Sequence, residues 1–168
     1  MHIIRTSRLS LREFMASDFD ELYAMFNDPL VMRYYPAHKN RQETQAWLDW
    51  FAASYAKSGH GLWAVEFNET WLFAGQCGLI SQVVDGIAEV EIGYLFKSCY
   101  WHHGYATEAA AACRDYGFET LSKDSLISLI RPENVPSRRV AERVGMTIEK
   151  KTMHRNIEHY VYRINRGP

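Results

Sequence analysis

Two carboxylates and one glycine-bearing loop lie close together in the middle of this chain. Glu89 and Glu91 fall in residues 88–96, which alternate as a strand does. Glu89, Glu91, Gly93 and Leu95 share one face, and Val90, Ile92, Tyr94 and Phe96 the other. Either carboxylate suits a general base, and Glu91, nearer Gly93, is favoured. The other reading is that one faces solvent or pairs with an arginine across the sheet. Residues 97–106 then form a polar, aromatic loop, in which Trp101-His102-His103-Gly104-Tyr105-Ala106 leads into Thr107-Glu108 and an Ala-rich helix over 107–120. A helix start directs unpaired N–H groups at the loop before it, which makes an anion site. A diphosphate needs several such groups converging without side chains between them, and Gly104 and Ala106 leave that room. The plainer alternative is an ordinary strand-to-helix turn.

The same loop holds a Cys-x-x-His-His cluster, Cys99, His102 and His103. Structural zinc calls for four ligands at paired spacing, and here there is one cluster, with its histidines where phosphates would bind. No metal site is expected. Cys99 lacks an evident oriented partner that would make it a nucleophile. Cys77 and Cys113, in apolar or Ala-rich runs, read as small buried hydrophobes. Three cysteines form no disulfide framework.

The elements that must position this unit follow from periodicity. Residues 3–14 read as a first strand, with Leu9 and Leu11 alternating against Arg8, Ser10 and Arg12. Ser17 and Asp18 before Asp20 and Glu21 start a helix whose apolar face is Phe19, Leu22, Tyr23, Met25 and Phe26, ended by Asn27-Asp28-Pro29. Asn40 with Glu43 makes a capping box for a second helix carrying Trp47, Leu48, Phe51 and Tyr55, stopped at Ser58-Gly59. These helices read as core packing first, and as a wall over a pocket second. From Leu62 the period becomes that of strands, with a turn at Asn68-Glu69-Thr70 and a hairpin signal at Asp85-Gly86. After the Ala-rich helix, 126–130 is β-branched and apolar, so strand, helix and strand imply a crossover and a parallel neighbour. Residues 136–144 form a short helix ended by Gly145, and two strands turning at His154-Arg155-Asn156 finish the chain. The expected fold class is α/β (α+β), a mixed, mainly antiparallel sheet of about seven strands with helices on both faces.

With 168 residues, one domain over 1–168 is the economical expectation. A chain that is 47% hydrophobic packs a real core. A net charge of -1 gives no support to nucleic acid or anionic membrane as partners. No apolar run approaches the ~18 residues a span requires. The opening residues lack the apolar core of a signal peptide, so the cytoplasm is expected.

The ordered set of motifs resembles a family. His103-Gly104-Tyr105-Ala106-Thr107-Glu108-Ala109 is similar to the acyl-CoA motif of the GNAT superfamily of N-acetyltransferases, Arg/Gln-x-x-Gly-x-Gly/Ala. Glu91-Ile92-Gly93-Tyr94, Arg8-Leu9-Ser10-Leu11-Arg12 and Asn27-Asp28-Pro29 resemble its ribosomal-protein N-terminal acetyltransferase branch, as do Asn134-x-x-Ser137 and Ala141-Glu142-x-x-Gly145-Met146. The resemblance covers about residues 5–165. It implies that the strands at 88–96 and 125–131 splay apart to admit the pantetheine arm of acetyl-CoA. Tyr94, Leu95 and Phe96 would offer backbone groups to its amides, and the N–H groups of His102, His103, Gly104, Tyr105, Ala106 and Thr107 its pyrophosphate site. Asn134 and Ser137 would lie near the thiol end.

Two departures stand out. Trp101 occupies the place of the Arg/Gln, leaving His102, His103, Arg138 or Arg139 to replace a phosphate contact. Ala141 stands where many members carry a tyrosine that protonates the leaving thiolate, so that proton would come from Ser137, a nearby tyrosine or water. The implied reaction transfers an acetyl group directly to a primary amine, with acetyl-CoA as cosubstrate and no metal. An amine with a pKa near ~10 must first lose a proton, which a carboxylate can take, and N–H groups at a strand bulge can hold the oxyanion. The acceptor is a protein N-terminus or a small amine, and the protein a monomer or homodimer. The alternative is a noncatalytic acyl-CoA-binding or sensing module, which Ala141 favours.

Overall fold

A computed structural model describes residues 2–167. Its elements run β1 (His2–Arg5), β2 (Leu9–Arg12), α1 (Phe19–Asn27), α2 (Arg41–Ser58), β3 (Leu62–Phe67), β4 (Phe73–Val84), β5 (Ile87–Phe96), α3 (Tyr105–Glu119), β6 (Ser125–Ile130), α4 (Val135–Arg143), β7 (Thr147–His154) and β8 (Ile157–Asn165). The eight strands form one sheet in the order β1-β2-β3-β4-β5-β6-β8-β7. The expected count of about seven is corrected because residues 3–14 fold into a hairpin, not one strand.

Local chemistry explains most boundaries. Asn40 and Glu43 bond each other's backbone N–H groups at 2.8 and 2.9 Å, starting α2, and Gly59 ends it at φ 69°. Asp85-Gly86 and Arg155-Asn156 both take positive φ, the twist that lets a two-residue turn join antiparallel strands. Asp18 differs from expectation. A 3-10 turn occupies Ala16–Asp18, and the Asp18 carboxylate accepts from the Met15 N–H at 2.7 Å while pairing with Arg12.

Antiparallel pairing runs unbroken through β4 and β5, from Val84↔Ile87 to Gly75↔Phe96. No bulge interrupts this ladder. β5 and β6 are the parallel neighbours, and their ladder registers at Glu91↔Ile127. Beyond that point the strands part, with the Ser128 hydroxyl reaching the Ile92 carbonyl at 2.8 Å. The splay implied by the family resemblance is present.

Helices cover both faces. On one, α3 and α4 pack on Cys77, Leu79, Ile92, Phe96 and Leu126. On the other, α1 and α2 bury Leu22, Met25, Phe26 and Phe51 against Leu62, Ala64 and Phe73. Under this second layer Arg12 bonds Asp18 bidentately at 2.7 and 2.8 Å and Glu66 through Nε at 2.8 Å. Cys77 and Cys113 are buried with sulfurs 3.5 Å apart, and Cys99 is exposed.

Candidate active site

Glu91 sits where β5 begins to leave β6. It accepts from Gln82 Nε2 at 2.8 Å and from the Leu129 N–H at 3.3 Å. Burial raises its pKa above the ordinary carboxylate value, against the pull of those two hydrogen bonds. The carboxylate lines a cavity of about 450 Å³ with Trp47, Gln76, Tyr94, Arg131 and the hairpin residues His154, Arg155 and His159. Glu89, two residues earlier on the same face, does not reach it. Arg163 grips Glu89 through two nitrogens at 2.6 and 3.2 Å, the cross-sheet pairing that was the alternative reading.

A second cavity of about 570 Å³ lies towards the loop and α3. His102, Gly104, Tyr105, Ala106 and Thr107 line it, together with Arg33, Arg139 and Arg143. The helix starts two residues earlier than expected because Gly104 takes the left-handed φ of 81° as its N-cap. His102 is left-handed too, at φ 67°. The first N–H to close the helix is Glu108, onto the Gly104 carbonyl at 3.0 Å, which leaves those of Tyr105, Ala106 and Thr107 ahead of the ladder. Anchors hold the loop from several sides. Lys97 meets Glu21 at 2.7 Å, Ser98 bonds Asp28, and Arg8 donates to the His103 carbonyl at 3.0 Å. Glu108 ties α3 to the first hairpin by accepting from Thr6 at 2.6 Å and Arg8 Nε at 2.6 Å. Burial works against its charge, and these donors nevertheless hold its carboxyl below the ordinary range.

The cavities share Tyr34, Tyr35, Tyr94, Leu95, Asn134 and Ser137. Two of the predicted positions carry structural duties as well. The Asn134 side chain caps α4 by accepting from the Ser137 N–H at 3.2 Å. The Phe96 carbonyl accepts from the Trp101 indole at 2.9 Å. Trp101 thus fills the space between core clusters and braces the end of β5. Tyr94 donates its hydroxyl to the Ser137 carbonyl at 2.7 Å, and burial raises its pKa well above the ordinary value.

His103 lies outside both linings, its ring 5.7 Å from that of Tyr105. Arg138 is turned to the Tyr162 hydroxyl at 3.1 Å and the Pro132 carbonyl at 3.0 Å. Of the phosphate substitutes named from sequence, His102 and Arg139 line the second cavity. Arg33 and Arg143 were missed. The i, i+4 spacing of Arg139 and Arg143 on one helix was the available signal for the latter. Ala141 is fully buried in the core. Among the described residues no cluster of three His, Cys, Asp or Glu could hold a metal ion. No helix among them is long and apolar enough to cross a membrane.

This geometry brings together a helix start with free N–H groups, flanking arginines and a gap between two parallel strands. The model of the acetyltransferase (GNAT) domain matches residues 8–147, and the chain belongs to that family. YkkB, an uncharacterized Bacillus subtilis protein, is 40% identical over 146 residues, 86% of this chain and 85% of its own. The B. subtilis protein named as N-acetyltransferase YnaD is 33% identical over 153 residues, covering 89% and 84%. Among solved structures, an acetyltransferase from Agrobacterium tumefaciens str. C58 superposes with a TM-score of 0.86 at 31% identity, over 97% of this chain and 94% of that one. The same fold recurs in RimL, the ribosomal L7/L12 alpha-N-protein acetyltransferase in complex with coenzyme A, at TM-score 0.77 and 14% identity over 98% of each chain.

Proposed function

We propose that this protein transfers an acetyl group from acetyl-CoA to a primary amine by direct attack within a ternary complex. The observation that carries the reading is the meeting of two cavities at Tyr94, Leu95, Asn134 and Ser137, where β5 and β6 part. One cavity has cations and helix-start N–H groups, and the other has two carboxylates, Glu91 and the cap-bound Glu43. Acetyl-CoA supplies an activated acyl carbonyl when bound. The chain fits it through Arg33, Arg139, Arg143 and the N–H groups of Tyr105, Ala106 and Thr107 on the pyrophosphate side. The unpaired edges of Gly93, Tyr94 and Leu95 meet the amides of its arm.

Glu91 takes the proton from the incoming ammonium, directly or through one water, and its raised pKa brings it closer to neutral strength. Backbone N–H groups at the opened end of β5 stabilise the charge that develops on the carbonyl oxygen. Ser137, which lines both cavities at the junction, passes to the departing sulfur the second proton that the amine nitrogen loses as the amide forms, while the Tyr94 hydroxyl, given to the Ser137 carbonyl at 2.7 Å, holds that residue in place. Glu89, held by Arg163, orients Arg163 and takes no part in proton transfer.

Incubation with acetyl-CoA and a broad panel of primary amines and N-terminal peptides, read as amine-dependent thiol release, tests the proposal. Release that disappears in Glu91→Gln supports it. Acetyl-CoA binding with no release from any amine would instead support a noncatalytic acyl-CoA-binding module, the reading that buried Ala141 favours. The single-domain organisation over 1–168 belongs to the same proposal, since the two cavities together draw on elements from α1 to β8.

A further inference from the structure

The position of Glu91 depends on one residue of the neighbouring strand. The β4–β5 ladder pairs Gln82 with Glu89 and Ile80 with Glu91. Directly paired residues of an antiparallel ladder share a face, so Gln82 lies beside both carboxylates. Its amide donates to only one of them, Glu91 Oε2, at 2.8 Å. The reason lies in β8. Arg163 occupies Glu89 through two nitrogens at 2.6 and 3.2 Å, and the amide is left for Glu91. An ionised carboxylate can only accept, which fixes the amide with its nitrogen toward Glu91. On the other side, Glu91 Oε1 takes the Leu129 N–H at 3.3 Å, two residues past the register point where β5 and β6 part. Each carboxylate oxygen thus has one donor, one from β4 and one from β6.

Donors on both oxygens fix the plane of a side chain that would otherwise rotate. A carboxylate has about four lone-pair sites, so sites remain open for a proton from the cavity that Gln82 and Glu91 both line. The donors also oppose burial, which on its own favours the protonated carboxyl, a form unable to accept a proton. The other titratable groups around the cavity do not share this task. The β7–β8 hairpin contributes His154, Arg155 and His159, β6 contributes Arg131, and β5 itself Tyr94. The segment before α2 adds Tyr34, Tyr35, His38 and Lys39, and α2 its cap residue Glu43. Among the described residues none of these hydrogen-bonds Glu91. Arg131 is engaged by the Tyr34 carbonyl at 3.1 Å and by Glu133 at 2.5 Å, and Arg155 acts on Glu91 through space only.

We propose that Gln82 is a positioning residue for the transfer: it orients the Glu91 carboxylate where β5 and β6 part and keeps it in the ionised form that accepts the amine's proton. The inference rests on the acetyl-transfer reading and adds a residue to it. Gln82 acts through Glu91 and needs no contact with either substrate. Arg163 assists at one remove, by keeping Glu89 from competing for the amide.

The test follows amine-dependent thiol release against pH in the parent and in Gln82→Met, which keeps the length of the side chain and removes the amide. With that donor gone the charged carboxylate loses support, so the acid limb of kcat/KM for the amine should move up by about one pH unit. KM for acetyl-CoA should stay unchanged. Gln82→Ala should move the limb the same way even where the methionine packs poorly. NMR titration of the Glu91 carboxyl carbon, identified by its loss in Glu91→Gln, should show the same upward move without any turnover. A limb and a carboxyl midpoint unmoved in both variants, with the rate lowered equally at every pH, would make Gln82 a sheet contact only. That result overturns the inference and leaves acetyl transfer standing. Silence of the parent toward every amine would instead remove the catalytic reading and this inference with it, whatever the titration shows.

Discussion

Glu91 is under two opposed demands, one from folding and one from chemistry. Its buried position raises its pKa above 4.5, so ionising it in the folded chain costs more than in the unfolded one. That cost is absent below the ordinary value, where both states hold the proton, and is complete once pH exceeds the raised value. Glu91→Gln should therefore melt higher than the parent at pH 7 and indistinguishably from it at pH 4, by thermal denaturation at each pH. The same substitution should lower kcat by about 10²–10⁴, the usual contribution of a positioned base, and abolish the acid limb of the pH–rate profile. A loss of activity accompanied by a loss of stability at pH 7 would refute this account. At Ala141 the absence of a side chain is itself structural. The methyl lies within the core, so Ala141→Tyr should destabilise by about 1–3 kcal/mol or more through overpacking, measured by urea unfolding, without raising kcat. Which of Glu89 and Glu91 faces the cavity was only half legible in sequence. Alternation placed both on one face, but the Arg163 that removes Glu89 lies 74 positions away, beyond any local pattern.

At the scale of elements, the loop between β5 and α3 depends on one backbone conformation. Gly104 needs a glycine for its φ of 81°, not for room, since a Cβ there would meet only Arg8 Nη2 at 3.6 Å. Gly104→Ala should cost about 1–2 kcal/mol in stability and weaken coenzyme A binding, measured by calorimetry, with little effect on KM for the amine. Beneath α1 and α2, Arg12 neutralises Asp18 and Glu66 together. Arg12→Leu leaves two buried carboxylates facing each other and should cost about 3–5 kcal/mol, read from urea midpoints. Signals contained within a few residues predicted their elements well: the Asn40–Glu43 box, the two hairpin turns and the crossover. Signals that were shared with tertiary partners did not. Asp18 looked like a simple cap until Arg12 was seen to hold it. Residues 3–14 read as one strand because the hairpin turn at Thr6–Arg8 is specified by Glu108 on a distant helix, which accepts from both ends of it.

Across the whole molecule the two cavities open on different elements, one on the loop, α3 and α4, the other on α2 and the β7–β8 hairpin. In the proposed reaction the acyl donor would use the first and the amine the second. Initial-rate plots over both substrates should therefore intersect, and mass spectrometry should find no acetylated chain after incubation with acetyl-CoA alone. Parallel lines would indicate a covalent route. Helices on both faces, the parallel pair and its splay were legible from the order of elements and the family motifs. Strand order beyond that pair, with β8 lying inside β7, was not, because no residue near the turn encodes which hairpin strand meets β6. That inversion has an evolutionary corollary. Because β8 secures the hairpin to the sheet, the tip at Arg155-Asn156 can change in sequence without altering the lining of the second cavity, to which it contributes nothing. Acceptor preference could then diversify among descendants through one turn, with the apparatus for the shared donor inherited intact.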